Sequence, residues 1–178
     1  MRVIGIDPGL TRCGIAVVDA APGKGGVLVH LEVATTDSEQ DPAQRLLEIS
    51  NRIEFVMDKF KPAALSLERV FAQQNLRTVM GVAQVGGLAL LAAERRSIPS
   101  FTYTPTAVKA AVTGSGRSDK RQVGKMVQAL LNLDQIPKPA DAADAIALAL
   151  CHAWRMHDAQ PSPTPFAARR VPKVKRND

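Results

Sequence analysis

Three β-rich runs come first in this chain, Val3–Ile6, Gly14–Asp19 and Val27–Thr36, and no helical period interrupts them. Consecutive strands with short connections pair antiparallel, because a parallel pair needs a crossover of roughly a dozen residues or more. Pro8-Gly9-Leu10-Thr11-Arg12-Cys13 supplies a first turn and Ala21-Pro22-Gly23-Lys24-Gly25-Gly26 a loop before the third run. The pattern then changes. From Pro42 to Phe60 the residues Leu46, Ile49, Ile53, Val56, Met57 and Phe60 recur at three- and four-residue steps, which predicts an amphipathic helix starting near Asp41 and ending at Lys61-Pro62. Ala63–Leu67 reads as a fourth strand closing on Glu68, Leu76–Arg96 as a long helix, and Ser100–Thr104 as a fifth strand. Further helices are expected from Pro105 to about Val112, from Lys120 to Leu131 with Val123, Met126, Val127, Leu130 and Leu131 on one face, and from Ala140 to about His157. This order describes an α/β fold with a mixed five-stranded sheet, three antiparallel strands then parallel crossovers, flanked by helices.

At 178 residues with 46% hydrophobic side chains, the chain can bury one sizeable core, which excludes a wholly disordered protein. Cys13 and Cys151 are too few and too far apart for a disulfide framework or a zinc knuckle. No apolar run approaches the ~18 residues of a membrane helix. The start reaches Asp7 after only a short apolar stretch, unlike a signal peptide, so a cytoplasmic setting is expected. The formal charge of +6 is unevenly placed: residues 159–178 hold Arg169, Arg170, Lys173, Lys175 and Arg176 against Asp178 alone, or +4 of the total. With Pro161, Pro163, Pro165 and Pro172 and few large apolar residues, the segment 158–178 is expected to be a flexible basic tail, and residues 1–157 a single domain.

The informative residues are acidic. Asp7 ends the first strand and Glu68 the fourth, at the sheet edge where α/β proteins build their sites. Taken alone, Asp7 before Pro8-Gly9 is ordinary turn chemistry. A fourth strand lying parallel beside the first would, however, bring Glu68 next to Asp7. Asp141 and Asp144, three residues apart on one helical face, precede the apolar run Ala145–Leu150. Carboxylates on so apolar a helix are costly without a compensating cation. Four acids brought together repel unless a divalent metal holds them, and all-oxygen ligands suit Mg²⁺ or Mn²⁺. Two such ions about 3.5 to 4 Å apart are the usual arrangement for in-line attack on a phosphodiester. His30, His152 and His157 read as surface or packing residues, and Cys151 as core.

Two further segments carry possible nucleic-acid chemistry. Phe71 lies alone in the polar stretch Val70-Phe71-Ala72-Gln73-Gln74-Asn75 and either caps the core or offers a base-stacking platform. Thr113–Arg121 is a Gly- and Ser-rich loop entering a helix with Arg117, Lys120 and Arg121, which is expected to cradle phosphate.

Ile4-Gly5-Ile6-Asp7-Pro8-Gly9, Leu67-Glu68-Arg69-Val70-Phe71, Tyr103-Thr104-Pro105 with Val108-Lys109, then Gly114, Gly116, Lys120, Gln122-Val123, Met126-Val127 and Ala140-Asp141-Ala142-Ala143-Asp144-Ala145 together resemble the RuvC family of Holliday-junction endonucleases. The order and spacing of these pieces cover nearly the whole chain up to the last helix. The resemblance implies an RNase H-like fold, a homodimer, and paired symmetric nicks in four-way junction DNA during recombination and repair. It implies two Mg²⁺ ions per site, with Mn²⁺ as a substitute, and a branch-migration helicase complex of the RuvA–RuvB type as a partner. Asp7, Glu68, Asp141 and Asp144 fall on the family's catalytic acids, Phe71 on its base-stacking aromatic, and Lys109 and Lys120 on basic residues implicated in DNA contact or catalysis. Where the family often has Gly-Gln-Ala-Arg-Gly, this chain reads Val82-Ala83-Gln84-Val85-Gly86-Gly87, so that arginine's contact has no counterpart; Arg69 is expected to add positive charge nearby.

Gly5-Ile6-Asp7-Pro8-Gly9 also resembles the first phosphate loop of actin-like ATPases and sugar kinases, which need a second nucleotide-binding domain that 178 residues do not accommodate. An RNase H-like nuclease acting on RNA or another branched DNA shares the acids and stays open. A non-catalytic DNA-binding module has no use for four acids that would repel phosphate.

Overall fold

In a computed structural model, which describes residues 1–21, 25–69 and 76–155, the first strand β1 (Arg2–Asp7) runs antiparallel to β2 (Arg12–Ala20) with Asp7 opposite Gly14. β2 pairs antiparallel with β3 (Gly26–Thr35). On its other side β1 pairs in parallel with β4 (Ala64–Glu68), and β4 in parallel with β5 (Ser100–Tyr103), giving the order β3-β2-β1-β4-β5. This is the mixed five-stranded sheet that the strand order predicts, with β1 at its centre.

The helices begin where their capping residues allow. Asp41 accepts from the Ala43 N–H at 2.8 Å to open α1 (Pro42–Phe60), and Lys61, left-handed at φ 48°, closes it before Pro62. α2 (Leu76–Arg95) follows β4. α3 (Pro105–Thr113) is capped by Thr104, and α4 (Lys120–Leu130) by a reciprocal box between Asp119 and Gln122. The last helix, α5 (Ala140–Arg155), is buried along most of its length.

Alternation along the strands splits the core into two layers. Ile4, Ile6, Ile15, Val17, Leu65 and Leu67 pack with residues of α1 and α2 on one face. Val3, Ala16 and Val18 pack with α3, α4 and α5 on the other. The helical period of α4 places Met126 on the core face, yet it is 37% exposed and Gly124 is buried. A Cβ on Gly124 would lie 2.9 Å from Ile136 Cγ2, so the segment after α4 closes on that side of the helix and Met126 turns outward.

Phe71, His157 and the expected tail at 158–178 lie outside the described residues. No helix among the described residues is long and apolar enough to cross a membrane.

Candidate active site

Strand parity fixes the first two acids. Val3 faces the α5 layer while Ile4 and Ile6 face the opposite one, so the two-residue period puts Gly5 and Asp7 on the α5 side. On β4, Ser66 donates its hydroxyl to the Leu148 carbonyl of α5 at 2.7 Å, which places Glu68 on that side as well. The parallel register sets Gly5 beside Ser66 and Ile6 beside Leu67; one step further, Asp7 and Glu68 are hydrogen-bonded through their carboxyl groups.

The other two acids arrive with α5, and two glycines let the helix come close enough. A Cβ on Gly5 would stand 2.1 Å from the Ala145 carbonyl oxygen, and one on Gly14 would stand 2.2 Å from that of Asp141. With no side chain at either position, α5 rests directly on the backbones of β1 and β2. Its sheet-facing residues then bring Asp141 and Asp144 over the end of β1. Asp7, Glu68, Asp141 and Asp144 line one cleft of 460 Å³ together with Lys109 and Lys120. All four acids expected from the sequence are brought together.

Their electrostatics follow from crowding in a half-buried place. Burial pushes the Asp7 carboxyl up to about 8, with the charges of Glu68 and Asp144 adding to it. Glu68 is raised as well, by burial first and by Asp144, against its hydrogen bond with Asp7 and the pull of Lys120 and Lys109. A hydrogen bond between two carboxyl groups requires that one of them be protonated, in keeping with both shifts. The α5 acids are balanced by cations instead: Arg12 Nε lies 3.0 Å from Asp141 Oδ2, and Lys120 Nζ lies 3.1 Å from Asp144 Oδ2. Asp144 in turn raises the Lys120 ammonium pKa.

The donor set fits a hard divalent cation, being wholly oxygen and holding more negative charge than the cleft can ionise unaided. As the side chains stand, no three of these acids, nor any three His, Cys, Asp or Glu among the described residues, converge on one point able to hold an ion. Arg12 and Lys120 each engage an oxygen that a metal would need. Mg²⁺ is commonly held by only one or two carboxylates plus substrate oxygens, a requirement the Asp7–Glu68 pair meets.

The basic residues divide. Lys109 and Lys120 line the acid cleft, whereas Arg117 and Arg121 are exposed and outside its lining. Arg69 is exposed just beyond β4, its backbone N–H bonded to the Tyr103 carbonyl at 2.8 Å. The expected cradle of backbone N–H groups at the start of α4 is partly taken, since the Gln122 N–H donates to Asp119 Oδ1 at 2.8 Å. Arg12 and Arg45 are absent from the sequence expectations. Arg12 had a weak signal, a cation in the turn directly after Asp7. Arg45 had a better one, a charge four residues before Ile49 on the apolar stripe of α1.

The chain matches the family model described as crossover junction endodeoxyribonuclease RuvC over residues 3–152. It is 56% identical over 155 residues to the crossover junction endodeoxyribonuclease RuvC of Parafrankia sp. (strain EAN1pec), covering 87% of each chain. The protein of the same name from Frankia alni is 55% identical over 155 residues, covering 87% of this chain and 79% of that one. Among solved structures, Thermus thermophilus RuvC in complex with Holliday junction substrate matches at a TM-score of 0.84 and 36% identity, over 90% of this chain and 99% of that one. The yeast mitochondrial Holliday junction resolvase Ydc2 matches at a TM-score of 0.60 and 16% identity, over 87% of this chain and 80% of that one, a likeness of fold alone.

Proposed function

The chain belongs to the RuvC family of crossover junction endodeoxyribonucleases, with the RNase H-like fold of that family, and from this premise we propose that it resolves four-way DNA junctions by paired symmetric nicks made by a homodimer. The observation that carries the reading is the convergence of Asp7, Glu68, Asp141 and Asp144 on one cleft at the carboxyl end of β1 and β4. Two Mg²⁺ ions bound by these acids would supply an activated water and neutralise charge at the phosphorus.

The protein's own part is to position and to balance charge. Asp7, on the central strand and hydrogen-bonded to Glu68, is the acid whose displacement would disturb the most neighbours. Lys109 and Lys120 offset the negative field that would otherwise repel a phosphodiester from four carboxylates. Arg117, Arg121 and Arg69 are exposed cations suited to phosphates farther along the arms, Phe71 to stacking at the branch point, and the tail at 158–178 to non-specific attraction. The two-fold symmetry of a homodimer would present two clefts to the two-fold symmetry of a junction.

The test is incubation with a synthetic four-way junction, a linear duplex and an RNA–DNA hybrid, each with Mg²⁺ or EDTA, using wild type and Asp7→Asn. Paired nicks with 5′-phosphate and 3′-hydroxyl ends, confined to the junction and to Mg²⁺, are expected from wild type. Asp7→Asn should bind the junction in EDTA yet cut it slower by orders of magnitude. Equal cutting of all three substrates would refute junction selectivity, and near wild-type cutting by Asp7→Asn would refute the assignment of the acids.

A further inference from the structure

Arg45 interrupts the buried face of α1. It precedes Ile49 and Ile53 at four-residue steps and is buried as they are, at 8% exposure. Its guanidinium has neutral partners only: Nε donates to Thr36 Oγ1 and Nη2 to Thr11 Oγ1, each at 2.9 Å. No carboxylate among the described residues comes within 4.0 Å of it. A buried cation without a counter-ion is expensive, and replacing it by an apolar residue of similar size would remove that cost.

The remaining guanidinium nitrogen, Nη1, makes no hydrogen bond among the described residues. Arg45 lines a 450 Å³ cleft with Gly9, Thr11, Arg12 and Asp141. Thr11 has a proton to give as well: its hydroxyl accepts from Arg45 and has no acceptor of its own among the described residues. The Thr36 hydroxyl, by contrast, donates to the Leu10 carbonyl at 2.6 Å.

This cleft adjoins the acidic one. Gly9, Arg12, Val82 and Asp141 line both, so a strand crossing the acids continues past Arg45. We propose that Arg45, Thr11 and Arg12 form a second anion site, occupied by the backbone phosphodiester next to the one held at the acids. The guanidinium fork and the hydroxyl suit two non-bridging phosphate oxygens, and the incoming phosphate supplies the counter-charge that Arg45 lacks. The proposal rests on the nuclease reading for the strand's path.

The test removes charge from the DNA instead of the protein. Four-way junctions carrying one uncharged methylphosphonate at each position flanking the cleavage site are bound in EDTA to wild type and to Arg45→Gln, and affinities are measured by fluorescence anisotropy. One flanking position should weaken wild type about tenfold, the size of one charge-assisted hydrogen bond, and weaken Arg45→Gln clearly less, since only Thr11 and Arg12 remain to contact it. If Arg45 only braces the turn between β1 and β2, the two losses multiply and the proposal fails. Should Arg45→Gln not fold, the wild-type Arg45 Nε–H resonance decides: it should move with unmodified junction and stay with the neutralised one. Movement with both or with neither overturns the site, and an equal response to inorganic phosphate overturns the assignment to a strand. Cleavage in Mg²⁺, scored separately, reports on the nuclease reading: coupled binding without cutting refutes that reading alone, and cutting with multiplying losses refutes this one alone.

Discussion

Lys120, the first residue of α4, places its Nζ 3.1 Å from Asp144 Oδ2 near the start of α5. The ammonium thus occupies an acid that the proposed chemistry needs free, and it also stands where a phosphate would approach. Lys120→Met should accordingly act in opposite directions on two ligands. Calorimetry without DNA should show tighter Mn²⁺ binding, because a competing cation has gone. Junction affinity in EDTA should fall, and its log–log dependence on salt should flatten by about 0.9 if the lysine neutralises one duplex phosphate. Unchanged metal affinity would show that the ion pair does not compete.

Gly5 and Gly87 make a matched pair of alanine substitutions. At Gly5 the new methyl would stand 2.1 Å from the Ala145 carbonyl oxygen and 2.8 Å from the Ala149 nitrogen, both backbone atoms of α5. Gly5→Ala should lower stability by about 1–3 kcal/mol, as overpacking does, and depress cleavage further by lifting Asp141 and Asp144 off the sheet. Gly87, exposed inside α2, has no atom within 4 Å of an added Cβ. Gly87→Ala should raise stability by up to about 1 kcal/mol in urea melts and spare cleavage.

The raised Asp7 carboxyl makes the metal-free fold sensitive to base. Its folded value of about 8 lies above the ordinary 3.8. The stability this proton contributes is complete below the unfolded value and is lost as pH rises through the folded one. Thermal melts in EDTA should therefore decline between pH 5 and 9, and Asp7→Asn should flatten the decline, most visibly at the alkaline end. An Asp7→Asn profile parallel to wild type would place the titration elsewhere.

His152 gives the opposite slope. It is fully buried, packs against Phe101 with ring centroids 4.3 Å apart and the planes tilted by 31°, and shares a 2.7 Å hydrogen bond between Nδ1 and the Tyr103 hydroxyl. Burial pulls its pKa down from 6.5 to about 4. Stability from the neutral ring is present above the unfolded value and is lost as pH falls through the folded one. The His152 ring resonances should stay those of neutral imidazole down to about pH 4. Tyr103→Phe, which strands Nδ1, should cost about 1–3 kcal/mol at neutral pH.

Asp7 and Glu68 were legible in the sequence because strand ends have only two faces and a parallel neighbour has a defined register. Asp141 and Asp144 were legible because a charge on an apolar helix demands a reason. Arg12 and Arg45 escaped because their partners come from other elements: Arg45 bonds Thr11 and Thr36 across the chain, and no local pattern announces a hydroxyl as the mate of a guanidinium. The capping box between Asp119 and Gln122 has no counterpart in the sequence expectations, and it withdraws a backbone N–H from the expected phosphate cradle through side-chain geometry. The turned-out Met126 likewise depends on Ile136, which no helical period within α4 could supply.

β1 and β4 each have a hydrogen-bonded strand on both sides. Amides paired on both sides exchange mainly through larger openings of the sheet, so the strands that carry the two carboxyl groups should be among the slowest to exchange. Local opening at the edge strands β3 and β5 should leave the Asp7–Glu68 pair assembled. Heat or denaturant should then abolish nuclease activity and native structure in the same transition, with no folded but acid-disrupted state between them.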